Sequence, residues 1–118
     1  MAIKQLSILM VFFCLIGCVS TQQFEQKRAI RHVVLCWLKK PGDREHQRKI
    51  IEASKTFRRI PGVLEVRVGK VIESDRAIVD DSFDVGILVV VSDAKRLQEY
   101  LDHPIHQRAK SNVHLPLV

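Results

Sequence analysis

The run FDVGILVVV (Phe83–Val91), followed directly by SDAKRLQEYLDHPIHQ (Ser92–Gln107), decides the architecture. Nearly every position of the first segment is apolar and β-branched residues dominate. That is the pattern of a strand covered on both faces, and therefore central in its sheet. Gly86 within it permits close approach of a helix or a ligand. Ser92 or Asp93 then supplies an N-cap, and Leu97, Tyr100 and Leu101 share the helical face that turns toward the sheet. Pro104 cannot donate to a continuing helix but suits the first turn of a new one. PIHQRAKSNV (Pro104–Val113) keeps helical spacing through Ile105, Ala109 and Val113.

Upstream, AIRHVVLCWLKK (Ala29–Lys40) places Ile30, His32, Val34, Cys36 and Leu38 on one face, with Val33, Leu35 and Trp37 on the other. Both faces are apolar, which predicts a strand covered on both sides. PGD turns the chain, with Asp43 as an N-cap. From Arg44 to Ile60, the residues Ile50, Ala53, Phe57 and Ile60 form a helical stripe. Arg58 and Arg59 fall in its last turn, where cations suit the helix dipole. Pro61-Gly62 fits the centre of a type II turn. VLEVRVGKVI (Val63–Ile72) alternates, predicting a strand with Leu64, Val66, Val68 and Ile72 on one face and Glu65 and Arg67 on the other. ESDRAIVDDS (Glu73–Ser82) is a polar loop. The order is β-α-β-β-α, an α+β chain with all but the last strand of a ferredoxin-like unit.

The N-terminus has a different character. One charge, Lys4, precedes an uncharged, mostly apolar run from Leu6 to Gly17. The run is short for a bilayer span and suits the h-region of a secretory signal. LIGC (Leu15–Cys18) resembles the lipobox of bacterial lipoproteins, where a membrane peptidase cuts before the cysteine and the thiol carries diacylglycerol. That resemblance implies a signal peptide over residues 1–17, a lipidated Cys18 with a polar tether over 18–28, and one domain over 29–118. Val19, not an aspartate, follows the cysteine. The expected address is the bacterial cell envelope, on the periplasmic face of the outer membrane if the cell has two membranes. Several acyl chains would make that attachment stable.

With Cys14 lost and Cys18 lipidated, Cys36 stands alone, so no intramolecular disulfide is expected and Cys36 reads as a small core residue. The whole chain carries a net charge of +6, its positives scattered rather than gathered in an aromatic-studded stripe. This is a solvated surface with some attraction for anionic headgroups, and no nucleic-acid partner is expected.

RHVVLCWLK, IPGVLEVRVGKVI, FDVGILVVVSD and LQEYLDHPIHQ occur in this order, and together they resemble the stress-responsive α/β-barrel (Dabb) domain family over Ile30–Val118. The resemblance implies a ferredoxin-like unit with an antiparallel sheet, and a homodimer in which two sheets pack face to face. The family unit normally ends in a fourth strand, after a segment resembling HLPLV (His114–Val118). A fourth strand missing at the C-terminus is therefore expected, leaving the His32 strand as an edge.

A plant polyketide cyclase of this fold uses a strand histidine, a helix tyrosine and the last histidine of H-P-x-H. Position by position, the resemblance carries these roles to His32, Tyr100 and His106. Aldol closure of a poly-β-keto chain needs a base near neutrality, the role of His106. It also needs a donor to the enolate oxygen, the role of Tyr100, with His32 orienting the pair. Against this stands a plain structural reading. Tyr100 is then a core residue with its hydroxyl satisfied at the rim, His103 caps the turn at Pro104, and His106 donates to a strand carbonyl. His103 and His106, with Asp102 or His32, also have the residue types of a metal site. Pro104 disturbs their geometry and no H-E-x-x-H or cysteine pair accompanies them, so neither metal nor cofactor is expected. His46 and His114 sit in polar sequence and read as solvated. The expectation is a lipid-anchored envelope protein that binds a small apolar or partly polar molecule or self-associates. The alternative is a cofactor-independent cyclase using His32, Tyr100 and His106.

Overall fold

Strand β3 (Val85–Val91) lies between β1 (Ile30–Cys36) and β2 (Val63–Lys70), antiparallel to both, in the order β1-β3-β2. This computed structural model describes residues 28–118, so the expected signal peptide, Cys18 and nearly all of the tether lie outside the described residues. The odd-numbered positions Val85, Ile87, Val89 and Val91 are all buried, as alternation demands of the sheet face that carries the helices. Helix α1 (Arg44–Lys55), helix α2 (Ala94–Asp102) and helix α3 (Pro104–Ala109) supply Ile50, Tyr100 and Ala109 to the same core. Full burial of one large apolar side chain of this kind stabilises by roughly 1.5–3 kcal/mol.

The capping residues act as their chemistry dictates. The Asp43 carboxylate accepts the His46 amide at 2.9 Å, and Asp93, not Ser92, accepts the Arg96 amide at 2.9 Å. The stripe expected to continue as one helix to Ile60 instead tightens into a 3-10 turn over Thr56–Arg59. Ile60 still reaches the core, and Gly62 turns the chain with a φ of 86° that L side chains resist.

Two sequence expectations for the strands are corrected. Leu64 does not share the core face with Val66: a bulge between Val63 and Glu65 makes it the extra residue, and it is 62% exposed. Ile72 lies beyond the end of β2 and is exposed as well. The second correction concerns β1. Its Cys36 side packs on the helices, but Val33, Leu35 and Trp37 on the other side are 62%, 41% and 47% exposed. Every helix contact of the core comes from one side of the sheet, so no described helix covers the other apolar face, although Val90 there is buried at 2% exposure.

Asp84 closes the end of the sheet. Its buried carboxylate accepts the Leu38 amide at 2.9 Å and the Gly42 amide at 2.6 Å, fastening the β1–α1 connection to β3. Burial opposes its charge, but those two amides and the Gln47 side chain outweigh it and hold the carboxyl below its ordinary value.

After α3 the chain widens into a π-helical turn, Lys110–His114, and then forms a short helix α4, Leu115–Leu117. This end docks on the start of the β1–α1 connection: the Lys39 amide donates to the Leu117 carbonyl at 2.8 Å, and Lys39 Nζ to the Leu115 and Pro116 carbonyls at 3.0 and 3.1 Å. HLPLV is thus helical, the described residues hold three strands, and β1 is an edge.

Candidate functional site

Tyr100 is the centre of the polar-aromatic cluster, because the helical face of Leu97, Tyr100 and Leu101 turns it under the sheet to 2% exposure. Its ring lies 4.7 Å from His106, 5.5 Å from Phe57 and 6.1 Å from His32, centroid to centroid. The three residues marked by sequence therefore come together, from β1, α2 and α3. They meet as packed rings, and no hydrogen bond joins them among the described residues. Phe57, from the 3-10 turn, also packs on His106 at 5.4 Å.

Pro104 is what delivers His106. It ends α2 and starts α3, and His103 caps the new helix with Nδ1 accepting the Ile105 amide at 3.2 Å. One turn in, His106 Nδ1 lies 2.8 Å from the Leu101 carbonyl of the preceding helix, not a strand carbonyl. A carbonyl only accepts, so Nδ1 carries the proton and Nε2 is the bare nitrogen of the neutral ring. Burial, reinforced by Lys110 and His32 and opposed by the Leu101 bond and Asp102, pushes the His106 pKa below its ordinary 6.5. The ring is thus held neutral in a single tautomer at physiological pH.

Tyr100 has no hydrogen-bond partner among the described residues, contrary to a phenol satisfied at the rim, and burial pushes its ionisation well up. It stays a phenol, able to donate. Its neighbour in space is a cavity of about 230 Å³ between β1 and the end of the chain. Val34, Phe57, Ile87 and Leu115 make apolar walls, and Tyr100, His106, Lys110 and His114 are the polar groups. His32 touches Tyr100 but does not line the cavity. A wider depression of about 360 Å³ lies on the uncovered sheet face between Val33, Arg67, Phe83 and Leu88. It is open to solvent and no histidine or tyrosine lines it, so the smaller cavity is the better site.

His114 corrects the sequence reading. Rather than being solvated, it is half-buried, with Nε2 3.1 Å from Ser54 Oγ and its ring 6.0 Å from Phe57. Burial, then His106, pushes its pKa down, against the Ile50 carbonyl. His46 is half-buried too, with a buried Nδ1 that lacks a partner. The signal that could have revealed His114 is the spacing of His106, Lys110 and His114, four residues apart in turn and so along one helical face. As for metal, His103 and His106 have each committed Nδ1 to a backbone group. No cluster of three metal-ligating side chains occurs among the described residues.

The family described as "Stress responsive A/B Barrel Domain" (Dabb) matches residues 30–118. No curated protein matches the chain. Among solved structures, a Dabb family protein with a ferredoxin-like fold from Mesorhizobium loti superposes with a TM-score of 0.61 at 24% identity, covering 76% of this chain and 86% of that one. A dimeric ferredoxin-like protein of unknown function from Thermobifida fusca gives a TM-score of 0.61 at 20% identity, over 76% of this chain and 81% of that one. A dimeric protein of unknown function and ferredoxin-like fold from Bacteroides fragilis gives 0.61 at 16% identity, over 77% and 87%. These likenesses establish the fold.

Proposed function

The chain belongs to the stress responsive A/B barrel domain family, and we propose that it is a lipid-anchored envelope protein whose domain binds one small, largely apolar molecule. The observation that carries the binding reading is the cavity beside β1. It combines apolar walls, a phenol with no partner among the described residues and a histidine locked as one neutral tautomer. Pockets for small molecules have that composition, apolar lining with a few convergent polar groups. The anchor is supported by LIGC at Leu15–Cys18 and the apolar run before it. Self-association through the uncovered sheet face is supported by the exposed row Val33, Leu35 and Trp37, and by two similar structures described as dimeric.

The test uses the full chain in non-ionic micelles with 13C-labelled histidine. Added hexanamide, a small apolar probe with a neutral head, should shift the His106 and His114 signals and leave His103 in place. If no histidine responds up to millimolar probe, the domain does not bind small molecules at this cavity.

Cyclase-type chemistry is the second reading, favoured by the bare Nε2 of His106 beside the Tyr100 phenol. In that step Nε2 takes a proton from an acidic C–H, and the electron pair moves onto the adjacent carbonyl oxygen. The Tyr100 hydroxyl donates to that oxygen, and the proton returns from His106 in the reverse step. Deuterium exchange at C3 of pentane-2,4-dione reads the step directly. Acceleration by the native chain, lost in H106Q and reduced in Y100F, supports it; equal exchange in H106Q would falsify it.

A further inference from the structure

Lys110 opens the π-helical turn and lines the same cavity, half-buried among apolar walls. Unlike Lys49, Lys55 and Lys95, it forms no ion pair with any described residue. Among the described residues no Asp or Glu side chain lines the cavity, so no carboxylate side chain there neutralises the ammonium. Elsewhere among the described residues a lysine is solvated, ion-paired or, like Lys39, bonded to carbonyls; this one shares a cavity with Phe57, Ile87 and Leu115, where Coulombic attraction is stronger than in water. The remaining polar groups, Tyr100, His106 and His114, are neutral and include a hydroxyl donor. Among the described side chains that line the cavity, Lys110 alone is charged. Single-turn π-helical segments also occur frequently at functional sites.

We propose, on the premise that the cavity binds a small molecule, that its ligand is a short amphipathic carboxylate: the head on Lys110 Nζ and the Tyr100 hydroxyl, the tail against Val34, Phe57, Ile87 and Leu115. One ammonium matches one singly charged oxyanion, and Tyr100 supplies a neutral donor to the second oxygen. The volume of about 230 Å³ lies below the range of a drug-sized site, which limits the tail to a short one.

The experiment compares hexanoate with hexanamide, equal in length and differing in charge, on the full chain in non-ionic micelles, read on the His106 and His114 signals. Hexanoate should bind about tenfold more tightly than hexanamide. K110Q should abolish that preference while hexanamide affinity persists, which also shows that the variant is folded. K110R should keep the preference, as should K95Q, which removes an exposed ammonium on α2. Equal affinity for both probes in the native chain, or a preference that survives K110Q, overturns the assignment of the head group and leaves the small-molecule reading standing. If neither probe shifts either histidine, that reading fails and takes this inference with it.

Discussion

Ser54 and His114 are sixty residues apart in the chain, yet Ser54 Oγ lies 3.1 Å from His114 Nε2. The Ser54 hydroxyl already donates to the Ile50 carbonyl at 2.7 Å, so its oxygen receives the imidazole proton and Nε2 is the donor. This contact ties the π-helical turn to α1 and sets one wall of the cavity.

S54A should therefore loosen the terminal turn. It leaves a half-buried imidazole N–H without its acceptor, at a cost of about 1–3 kcal/mol. Denaturant unfolding measures the loss, and the His114 signal should move toward that of an exposed histidine. An unchanged midpoint together with an unchanged His114 signal would show that the contact does not form in solution.

Stability should fall as the medium is acidified below pH 6.5. His106 and His114 both have pKa values pushed down by burial, so the unfolded chain binds protons first as pH drops. Stability rises with pH wherever the unfolded state holds more protons, so the penalty is absent above 6.5 and grows downward until the folded pKa values are reached. Thermal unfolding of the H106Q and H114Q variants between pH 7 and 5 should show a shallower dependence than the native chain. A slope unchanged by both substitutions would assign the effect to other groups.

Asp84 acts in a lower window with the opposite chemistry. Its carboxyl is held below 3.8 in the folded chain, so its contribution is present above that value and disappears as pH falls through the folded pKa. D84N replaces an acceptor of two backbone amides by a group that can accept on only one oxygen, and should cost about 2 kcal/mol at neutral pH. The variant should also lose the Asp84 share of the acid dependence of unfolding below pH 4, leaving that of Asp43, Asp80 and Asp93. Wild-type stability in D84N would mean that the β1–α1 connection is held by other contacts.

The uncovered sheet face gives a test of self-association. Val33 is 62% exposed in the single chain, so V33E should not disturb the monomer core. In a face-to-face dimer it would bury an unpaired carboxylate, which is costly enough to separate the copies. Light scattering of the full chain in micelles should give two protein copies for the native form and one for V33E. A native chain that is monomeric, or a V33E chain that remains dimeric, removes this face as the interface.

Most of the architecture was legible before any coordinates because its signals are local. The apolar run of β3, the caps at Asp43 and Asp93 and the restart at Pro104 act within a turn or two of their own positions. Where two local choices compete, sequence loses the detail. A bulge costs one residue of register, and nothing within VLEVRVGKVI announces that Leu64 is the extra one.

What the sequence determined by itself was the order of elements, the central place of β3 and, through the family likeness, the convergence expected for His32, Tyr100 and His106. Only the tertiary structure decided which apolar faces are covered, and which polar groups share a cavity. Periodicity records that Val33, Leu35 and Trp37 form an apolar row, but the surface that meets such a row lies far along the chain or on another molecule. Likewise, the tautomer of His106 depends on one carbonyl at the end of α2, and the environment of His114 depends on the packing of the chain end against Ser54 and Phe57. Such contacts are set by closure of the whole core, which no local pattern encodes.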